Sequence, residues 1–388
     1  MKFVLISPKN RTTYNFRGDL LKEIISNGYE VIVTGPNEDS IDKIKELGVR
    51  FELIPLNKNG LSATADLKYL FALRKFLKSE KPDITLGYTI KPVIYGAIAA
   101  KLAGVKTINS MVTGAGYVFI AKTAKAKIIR ALACMLYRIA FKCADTVIFQ
   151  NPDDLNEFTE MKLLRRDKCR QVNGSGVNMY KFEPASLPKK LTFFMLSRIM
   201  YSKGIKEYLH AAREVKSKYP DTRFMLLGAI EYIHDSLTMD DLKSYIDEGV
   251  IEYFGETHDV ASYYRECSVY VLPSYREGTP RTVLEAMAMG RPVVTTDTPG
   301  CRETVVDGVN GFLVPVQDSE ALAKKMEWFI ENHNEIEKMG RASYKLCREK
   351  FDVRKVNMEM LKYMNIKKIE EILCAATGCM GQCPEKHC

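Results

Sequence analysis

The sequence predicts an α/β fold: two Rossmann-like, doubly wound parallel-sheet domains facing an interdomain cleft. Three observations predict it. Short apolar runs alternate with stretches of helical periodicity, the pattern of a parallel sheet covered by helices. The alternation comes in two series, separated by the Gly/Asn/Pro-rich stretch VNGSGVNMYKFEP at 172–184. The chain's 388 residues also exceed what one ordinary core holds.

In the first series, Phe3–Ile6 reads as a buried strand. Leu20–Ser26 is helical up to Gly28, and Val31–Thr34 is the next strand. Ile41–Leu47 is a helix closed by Gly48, followed by a strand at Phe51–Pro55. Leu67, Leu70, Phe71, Arg74 and Leu77 recur at helical spacing ahead of a strand at Ile84–Gly87. The loop Ser7–Phe16 contains no glycine, so the Gly-x-Gly-x-x-Gly dinucleotide fingerprint is absent. Thr107–Met111 is a strand running into Thr113-Gly114-Ala115-Gly116, where small residues permit close approach of backbone or ligand, or simply a turn. Lys122–Cys143 sets Ile128, Leu132, Met135, Leu136, Ile139 and Cys143 on one helix face. Lys127, Arg130, Arg138 and Lys142 lie on the other side. Two readings fit: an interfacial helix on anionic lipid, or a helix packing its stripe on the domain core. The charges exclude a spanning helix. Thr146–Gln150 is a further strand.

The second series opens with a strand at Leu191–Leu196 and a helix whose face is Ile205, Tyr208, Leu209, Ala212 and Val215, with Ser202 as its N-cap. Strands at Arg223–Leu227 and Val250–Phe254 end at Gly228 and Gly255. Residues 270–294 form a strand–loop–helix–strand unit. Its loop carries Glu277, and its helix starts with Thr279 as N-cap and Pro280 at the first helical position. That helix carries Glu285 and stops at Gly290 before Pro292. Phe312–Val314 and helices at Glu320–Glu331 and Glu335–Lys350 complete the series. The expected division is 1–172 as first domain, 173–188 as linker, 189–350 as second domain, 351–366 as a helix packing back on the first domain, and 367–388 as a Cys-rich tail.

Charge is unevenly shared. Residues 1–180 hold 28 Lys/Arg against 17 Asp/Glu, and the remainder 29 against 31. A polyanion would therefore meet the first half, unless that half is merely a solvated basic surface. Six cysteines (134, 143, 169, 267, 301, 347) follow no framework spacing, as in a reducing compartment. The apolar run Phe3–Ile6 is too short for a secretory core, and no stretch approaches the ~20 apolar residues of a span. The expectation is a cytoplasmic protein.

Ligands of such folds bind in the cleft at the carboxyl ends of strands. Arg198 and Lys203 follow the first strand of the second domain, where two fixed cations suit a departing diphosphate. The alternative is a pair of surface cations. Glu285 sits in an apolar helix, where a carboxylate facing a cleft accepts both hydroxyls of a ribose. The amides at that helix start suit phosphate.

These motifs carry a resemblance. Ser197-Arg198-x4-Lys203-Gly204, Gly255-x3-Asp259-Val260, Pro273-Ser274-x2-Glu277-Gly278-x6-Glu285-Ala286 and Gly308-x2-Gly311-Phe312-Leu313-Val314 resemble the retaining glycosyltransferases of family 4, which have the GT-B fold. Linker residues Gly176-Val177-Asn178-x3-Phe182-x-Pro184 match as well, and the resemblance runs to about Met364. Within the family the chain is most similar to enzymes extending undecaprenyl-diphosphate-linked sugars in glycan, O-antigen or capsule assembly. Asn15-Phe16-Arg17 and Gly114-Ala115-Gly116 fit that subgroup and its acceptor side.

The resemblance implies roles. Arg198 and Lys203 would hold the donor diphosphate, and Glu277 would sit by the donor sugar. Glu285 would bind the ribose. Gly228, Gly278 and Thr279 would border the donor, amides around Thr282 and Val283 would face phosphate or sugar, and backbone near Val260 the base. Arg17, Gly114 and Gly116 would face the acceptor; Lys127, Arg130, Arg138 and Lys142 would face an anionic membrane. The donor would be a nucleotide sugar, UDP-linked, and the acceptor a lipid-diphosphate-linked saccharide, met by a protein peripheral on the inner membrane face. No nucleic acid, cofactor or catalytic metal is expected. All five histidines lie beyond the linker, which a retaining enzyme tolerates because the departing phosphate takes the acceptor proton. Cys374, Cys379, Cys383 and Cys388 with His387 have metal-ligand chemistry but lack Cys-x2-Cys pairs, and a disordered tail is the expectation. Two other functions share the architecture. A nucleotide-sugar 2-epimerase would need acid/base groups from the first domain. A non-catalytic membrane scaffold would have no need of Arg198, Lys203, Glu277 and Glu285 together.

Overall fold

A computed structural model describes residues 1–57, 60, 62–116, 119, 124–231 and 235–369. His234 and the cysteine tail with His387 lie outside the described residues.

The first domain runs β1 (Lys2–Ile6), α1 (Asn10–Ser26), β2 (Glu30–Gly35), α2 (Ile41–Lys45), β3 (Arg50–Leu53), α3 (Ala63–Glu80) and β4 (Ile84–Tyr88). It continues with α4 (Ala97–Ala103), β5 (Thr107–Val112), α5 (Ala124–Cys143), β6 (Thr146–Phe149), α6 (Pro152–Glu160) and β7 (Cys169–Gln171). Its seven strands are ordered β3-β2-β1-β4-β5-β6-β7, all parallel. Strands this apolar need both faces covered, and helices cover them. One face packs Leu20, Leu21 and Ile24 of α1 on Phe3, Leu5 and Val33. The other packs Tyr137 and Phe141 of α5 beneath Val4, Ile6 and Val147.

The second domain runs β8 (Thr192–Leu196), α7 (Ile205–Lys218), β9 (Arg223–Leu227), α8 (Met239–Asp247), β10 (Glu252–Tyr253), α9 (Val260–Arg265) and β11 (Val269–Leu272). It closes with α10 (Arg281–Ala288), β12 (Val293–Thr296), β13 (Gly311–Val314), α11 (Ser319–Glu331) and α12 (His333–Leu346). Its parallel order is β10-β9-β8-β11-β12-β13. In each sheet the order reverses at the first strand, between β1 and β4 and between β8 and β11. Connections leave in opposite directions at such a point and open a crevice beyond the strand ends.

The last helix, α13 (Val353–Tyr363), returns to the first domain and buries Val356 and Met360 against the α1 side of its sheet. The chain thus crosses between domains twice, and the crossings are stapled together. The Val177 amide donates to the Phe351 carbonyl at 2.8 Å, and the Val353 amide to the Val177 carbonyl at 3.0 Å.

Local readings change in three places. Helix α1 begins ten residues earlier than its apolar stripe, because its first turns bury Asn10, Thr13 and Arg17, which hydropathy does not reveal. Ser202 is not an N-cap: it lies in a 3₁₀ turn, Tyr201–Lys203, and its hydroxyl donates to Asp235. Thr279 is not the cap of α10 either. Pro280 holds that position, and the Thr279 hydroxyl crosses to the Gln150 carbonyl at 2.9 Å.

Helix α5 carries two apolar faces. Ala133, Cys134, Tyr137, Ala140 and Phe141 are the buried one. Ile128, Leu132, Met135 and Ile139 stand outward, with Ile128 72% and Leu132 52% exposed. Two of its cations do not face outward freely. Arg130 meets Glu157 of α6 at 3.2 Å, and Arg138 donates to the Met161 and Lys162 carbonyls just past α6, where helix carbonyls lack partners. Lys127 and Lys142 remain exposed.

Candidate active site

The cleft between the domains is a cavity of about 790 Å³. Arg17, Arg198, Lys203, Gly228, Val260, Glu277, Gly278, Thr279, Thr282 and Glu285 all line it. Three predicted residues do not: Gly116 is exposed on its loop, Gly114 lies behind the wall, and Val283 is buried in α10. The cations of α5 are also elsewhere.

Lys203 and Glu277 meet because two loops press together. Gly204 follows Lys203 at φ 75°, and a Cβ there would stand 2.1 Å from the Pro273 carbonyl oxygen. Only glycine permits that approach. It brings the turn after β8 against the loop after β11, so Lys203 Nζ reaches Glu277 Oε1 at 2.5 Å. Each side chain is 16% exposed. The Ser274 hydroxyl donates to the same carboxylate oxygen at 2.8 Å. Arg198 is more open and pairs with Glu231 at 3.1 Å. Glu231 also faces Lys9 of the first domain at 3.6 Å. Beside it, Arg11 pairs with Glu256 and donates to the Thr257 carbonyl, a second bridge across the mouth.

Gly228 lets β9 end directly against the loop after β8, since a Cβ there would overlap the Ser197 carbonyl. Glu285, on the inner face of α10, is 8% exposed. Burial raises its pKa above the ordinary carboxylate range, although Arg281 opposes the shift. Its oxygens lie 3.3 Å from Arg281 Nε and 3.2 Å from the Tyr264 hydroxyl. Arg281 Nη1 donates to the Gly176 carbonyl at 2.5 Å, tying the helix start to the linker. In the first turn of α10 the Val283 amide is taken by the Pro280 carbonyl at 3.1 Å. The Arg281 and Thr282 amides precede it at the helix start, the end that favours an anion.

The domains touch at the back of the cleft through main chain. A Cβ on Gly278 would stand 2.2 Å from the Thr113 carbonyl oxygen, and one on Gly114 would stand 3.0 Å from the Gly278 nitrogen. Asn151 donates to the Gly278 carbonyl at 2.6 Å, and Arg276 spans to Asp154 and Glu157 of α6.

Residues 178–346 match the family model of glycosyl transferases group 1, and residues 4–151 match that of the glycosyl transferase 4-like domain. The chain carries a glycosyltransferase domain in each half. It is 28% identical over 86% of its length, and 90% of the relative's, to the N,N'-diacetylbacillosaminyl-diphospho-undecaprenol alpha-1,3-N-acetylgalactosaminyltransferase of Campylobacter jejuni. It is also 28% identical to the UDP-Gal:alpha-D-GlcNAc-diphosphoundecaprenol alpha-1,3-galactosyltransferase of Escherichia coli, over 74% of this chain and 76% of that one. Among solved structures, a Rickettsia africae glycosyltransferase superposes with a TM-score of 0.75 at 19% identity, covering 94% of this chain and 98% of that one. Anabaena HepE in complex with UDP-glucose superposes with a TM-score of 0.77 at 16% identity, covering 94% and 99%. The fold is accordingly GT-B, and the chain is a glycosyltransferase enzyme.

In this glycosyltransferase four of the charged residues expected from spacing line one cavity: Arg198, Lys203, Glu277 and Glu285. Spacing missed Arg281, whose i,i+4 relation to Glu285 was visible, and His258, which lines the cleft from the second domain. It also missed Glu231, Glu256 and Arg11, whose pairing across domains leaves no local signal. Among the described residues no group of three or more His, Cys, Asp or Glu could hold a metal ion, and no helix is long and apolar enough to cross a membrane.

Proposed function

We propose that this chain is a retaining transferase that moves a sugar from a UDP-sugar to a lipid-diphosphate-linked saccharide at an anionic membrane surface. The observation that carries the reading is the shared cavity of Arg198, Lys203, Glu277 and Glu285. A nucleotide sugar needs all of it: a ribose acceptor, amides for one phosphate, cations for the leaving charge and a carboxylate for the sugar hydroxyls. The activities of the relatives in Campylobacter and Escherichia coli support a diphosphate-linked acceptor.

In this reading Glu285 takes the ribose hydroxyls, the Arg281 and Thr282 amides a phosphate, and the wall at Gly228, Thr279 and Val260 the remainder of the nucleotide. The bond from sugar C1 to the phosphate oxygen breaks. Arg198 and Lys203 stabilise the negative charge that grows on that oxygen. The acceptor hydroxyl adds to C1 from the same face, and its proton passes to the departing phosphate, so configuration is kept. Lys203 carries the work a divalent cation does elsewhere. Glu277, already positioned by Lys203 and Ser274, orients the donor sugar. Residues 1–172 form the acceptor and membrane domain, with Gly114 and Gly116 on the acceptor side, and 189–350 the donor domain. The outward apolar stripe of α5, flanked by Lys127 and Lys142, lies in the interface of the inner leaflet.

A panel of UDP-sugars is scored by slow donor hydrolysis, and the released sugar's anomeric configuration is read by proton NMR. Retention with one favoured UDP-sugar, undiminished in EDTA, is expected. An inverted first product overturns the mechanism, and a UDP-sugar epimerised without transfer overturns the reaction class.

A further inference from the structure

Arg17 is 4% exposed and makes no ion pair among the described residues. Its Nη2 reaches the Met111 sulfur at 2.9 Å, and its buried Nε has no partner among the described residues. The guanidinium lies 5.4 Å from the centre of the Tyr88 ring and lines the floor of the cleft. An arginine buried without an anion is costly, because lost hydration is not replaced by a paired charge. The two other buried guanidiniums have oxygen partners: Arg281 has Glu285 and the Gly176 carbonyl, and Arg291 has the Tyr264, Ser186 and Arg265 carbonyls through Nε and Nη2. Among the described residues the hydrogen bond given for the Arg17 guanidinium is the one to sulfur. Burial lowers its pKa to about 10, and the nearby positive charge of Arg281 acts in the same direction. It therefore remains charged at neutral pH. Arg281, which acts on Arg17, is itself paired with Glu285 at 3.3 Å, and Lys181 acts on that same carboxylate, so Glu285 already has cationic partners of its own.

We propose that Arg17 is the floor of a second oxyanion subsite, which takes a phosphate group of the acceptor while the donor's diphosphate occupies Arg198 and Lys203. Arg17 projects from α1, behind the β1 and β4 ends of the first domain, whereas the donor cations follow β8 in the second. A planar fork of five donors suits a phosphate's oxygens, and a low-dielectric floor strengthens the contact. The inference rests on the donor reading of Arg198 and Lys203, and it adds a place where the acceptor's own phosphate is recognised. Inorganic phosphate chemistry is shared by donor and acceptor, so the test must separate them.

Inorganic pyrophosphate is titrated calorimetrically into the full-length protein, alone and saturated with UDP, for wild type, Arg17→Met and Arg17→Lys. The expected result is a pyrophosphate site that survives UDP saturation in wild type, is at least tenfold weaker in Arg17→Met, and is partly kept in Arg17→Lys. UDP affinity stays within twofold in all three. Because an unpaired buried charge is removed, Arg17→Met melts no lower than wild type. A pyrophosphate site indifferent to Arg17→Met overturns the proposal. So does a loss of UDP affinity with no second pyrophosphate site, which would give the subsite to the donor. A melting temperature several degrees lower marks a structural arginine and also overturns it. Should UDP fail to bind wild type, the donor reading falls instead, and the pyrophosphate titration without UDP still decides the role of Arg17.

Discussion

Replacing Lys203 with Met tests the centre of the site. In the resting cleft Lys203 holds Glu277 at 2.5 Å with both side chains 16% exposed. Close coupled pairs contribute ~0.5–3 kcal/mol. Ser274 continues to donate to Glu277 when the lysine is gone, so the carboxylate is not orphaned. A loss of about 1–2 kcal/mol follows, a fall of roughly 2–8 °C in Tm for domains of this size. The effect on turnover is larger. Removing one fixed donor from a developing oxyanion costs about 10²–10³ in rate, or ~3–4 kcal/mol. Read on folded enzyme, RT ln of the kcat/KM ratio is by itself the transition-state loss, and the fall in Tm is a separate ground-state quantity. A double-mutant cycle with Glu277→Gln isolates the pair's coupling. Coupling is expected in the free protein and is expected to fall when UDP is present, because the ammonium then turns to phosphate. Thermal denaturation with and without UDP measures it, and initial rates with the favoured UDP-sugar give kcat/KM. Wild-type turnover in a folded Lys203→Met protein refutes the leaving-group role. Coupling unchanged by UDP refutes the exchange of partners.

Three further perturbations address other parts of the structure. Leu132→Glu and Met135→Glu on the outward face of α5 should leave Tm unchanged, since both are about half exposed. Each should weaken sedimentation with phosphatidylglycerol vesicles about tenfold or more, by the ~1.5–3 kcal/mol of burying such a side chain; equal sedimentation would place the contact elsewhere. Gly278→Ala puts a methyl 2.2 Å from the Thr113 carbonyl and should cost ~1–3 kcal/mol of interdomain contact. Small-angle scattering should show a larger radius, and activity should fall at least tenfold; an unchanged profile would mean that the backbones yield. Burial raises the pKa of Glu285, so the folded chain binds this proton more tightly than the unfolded one does. Its contribution to stability is full below the ordinary carboxylate range and is lost as pH rises through the raised value. UDP binding needs the carboxylate and should weaken as pH falls through that same value. Glu285→Gln should lose both dependences along with most of the affinity, and a persisting acidic limb in UDP binding would assign it to another group.

Much of this was legible because the informative residues sit at strand ends. There, a short apolar run, a loop and a helix start place Arg198, Lys203, Glu277 and Glu285 by chain geometry alone. What escaped did so for physical reasons. The inner face of the first turns of α1 is Asn10, Thr13 and Arg17, so a buried face carried no apolar period. Helices α6, α8 and α9 are at most nine residues long, too short for a stripe to stand out. In α5 the apolar residues outnumber one stripe, and hydropathy could not say which set faces the sheet. The stacked pair Tyr137 and Phe141 was the available sign of the inner face. Pairings such as Lys9–Glu231 and Arg11–Glu256 join residues more than two hundred positions apart, and only the folded cleft brings them together.

The paired crossings at Val177 and at Phe351–Val353 have a mechanical consequence. A single tether lets one body swing, twist and slide on another. Two tethers hydrogen-bonded side by side suppress the slide and the twist and leave rotation about the line they define. The domains are therefore coupled as two pages are by a spine: a small turn at Val177 becomes a larger displacement at Arg11 and Glu256 on the opposite rim. A chain cut after α12 would keep every strand of both sheets, yet lose the second tether together with buried Phe351, Val356 and Met360. Val353→Pro removes the amide that bonds to Val177 and keeps those side chains, and lost alignment would be visible as UDP binding retained with little transfer.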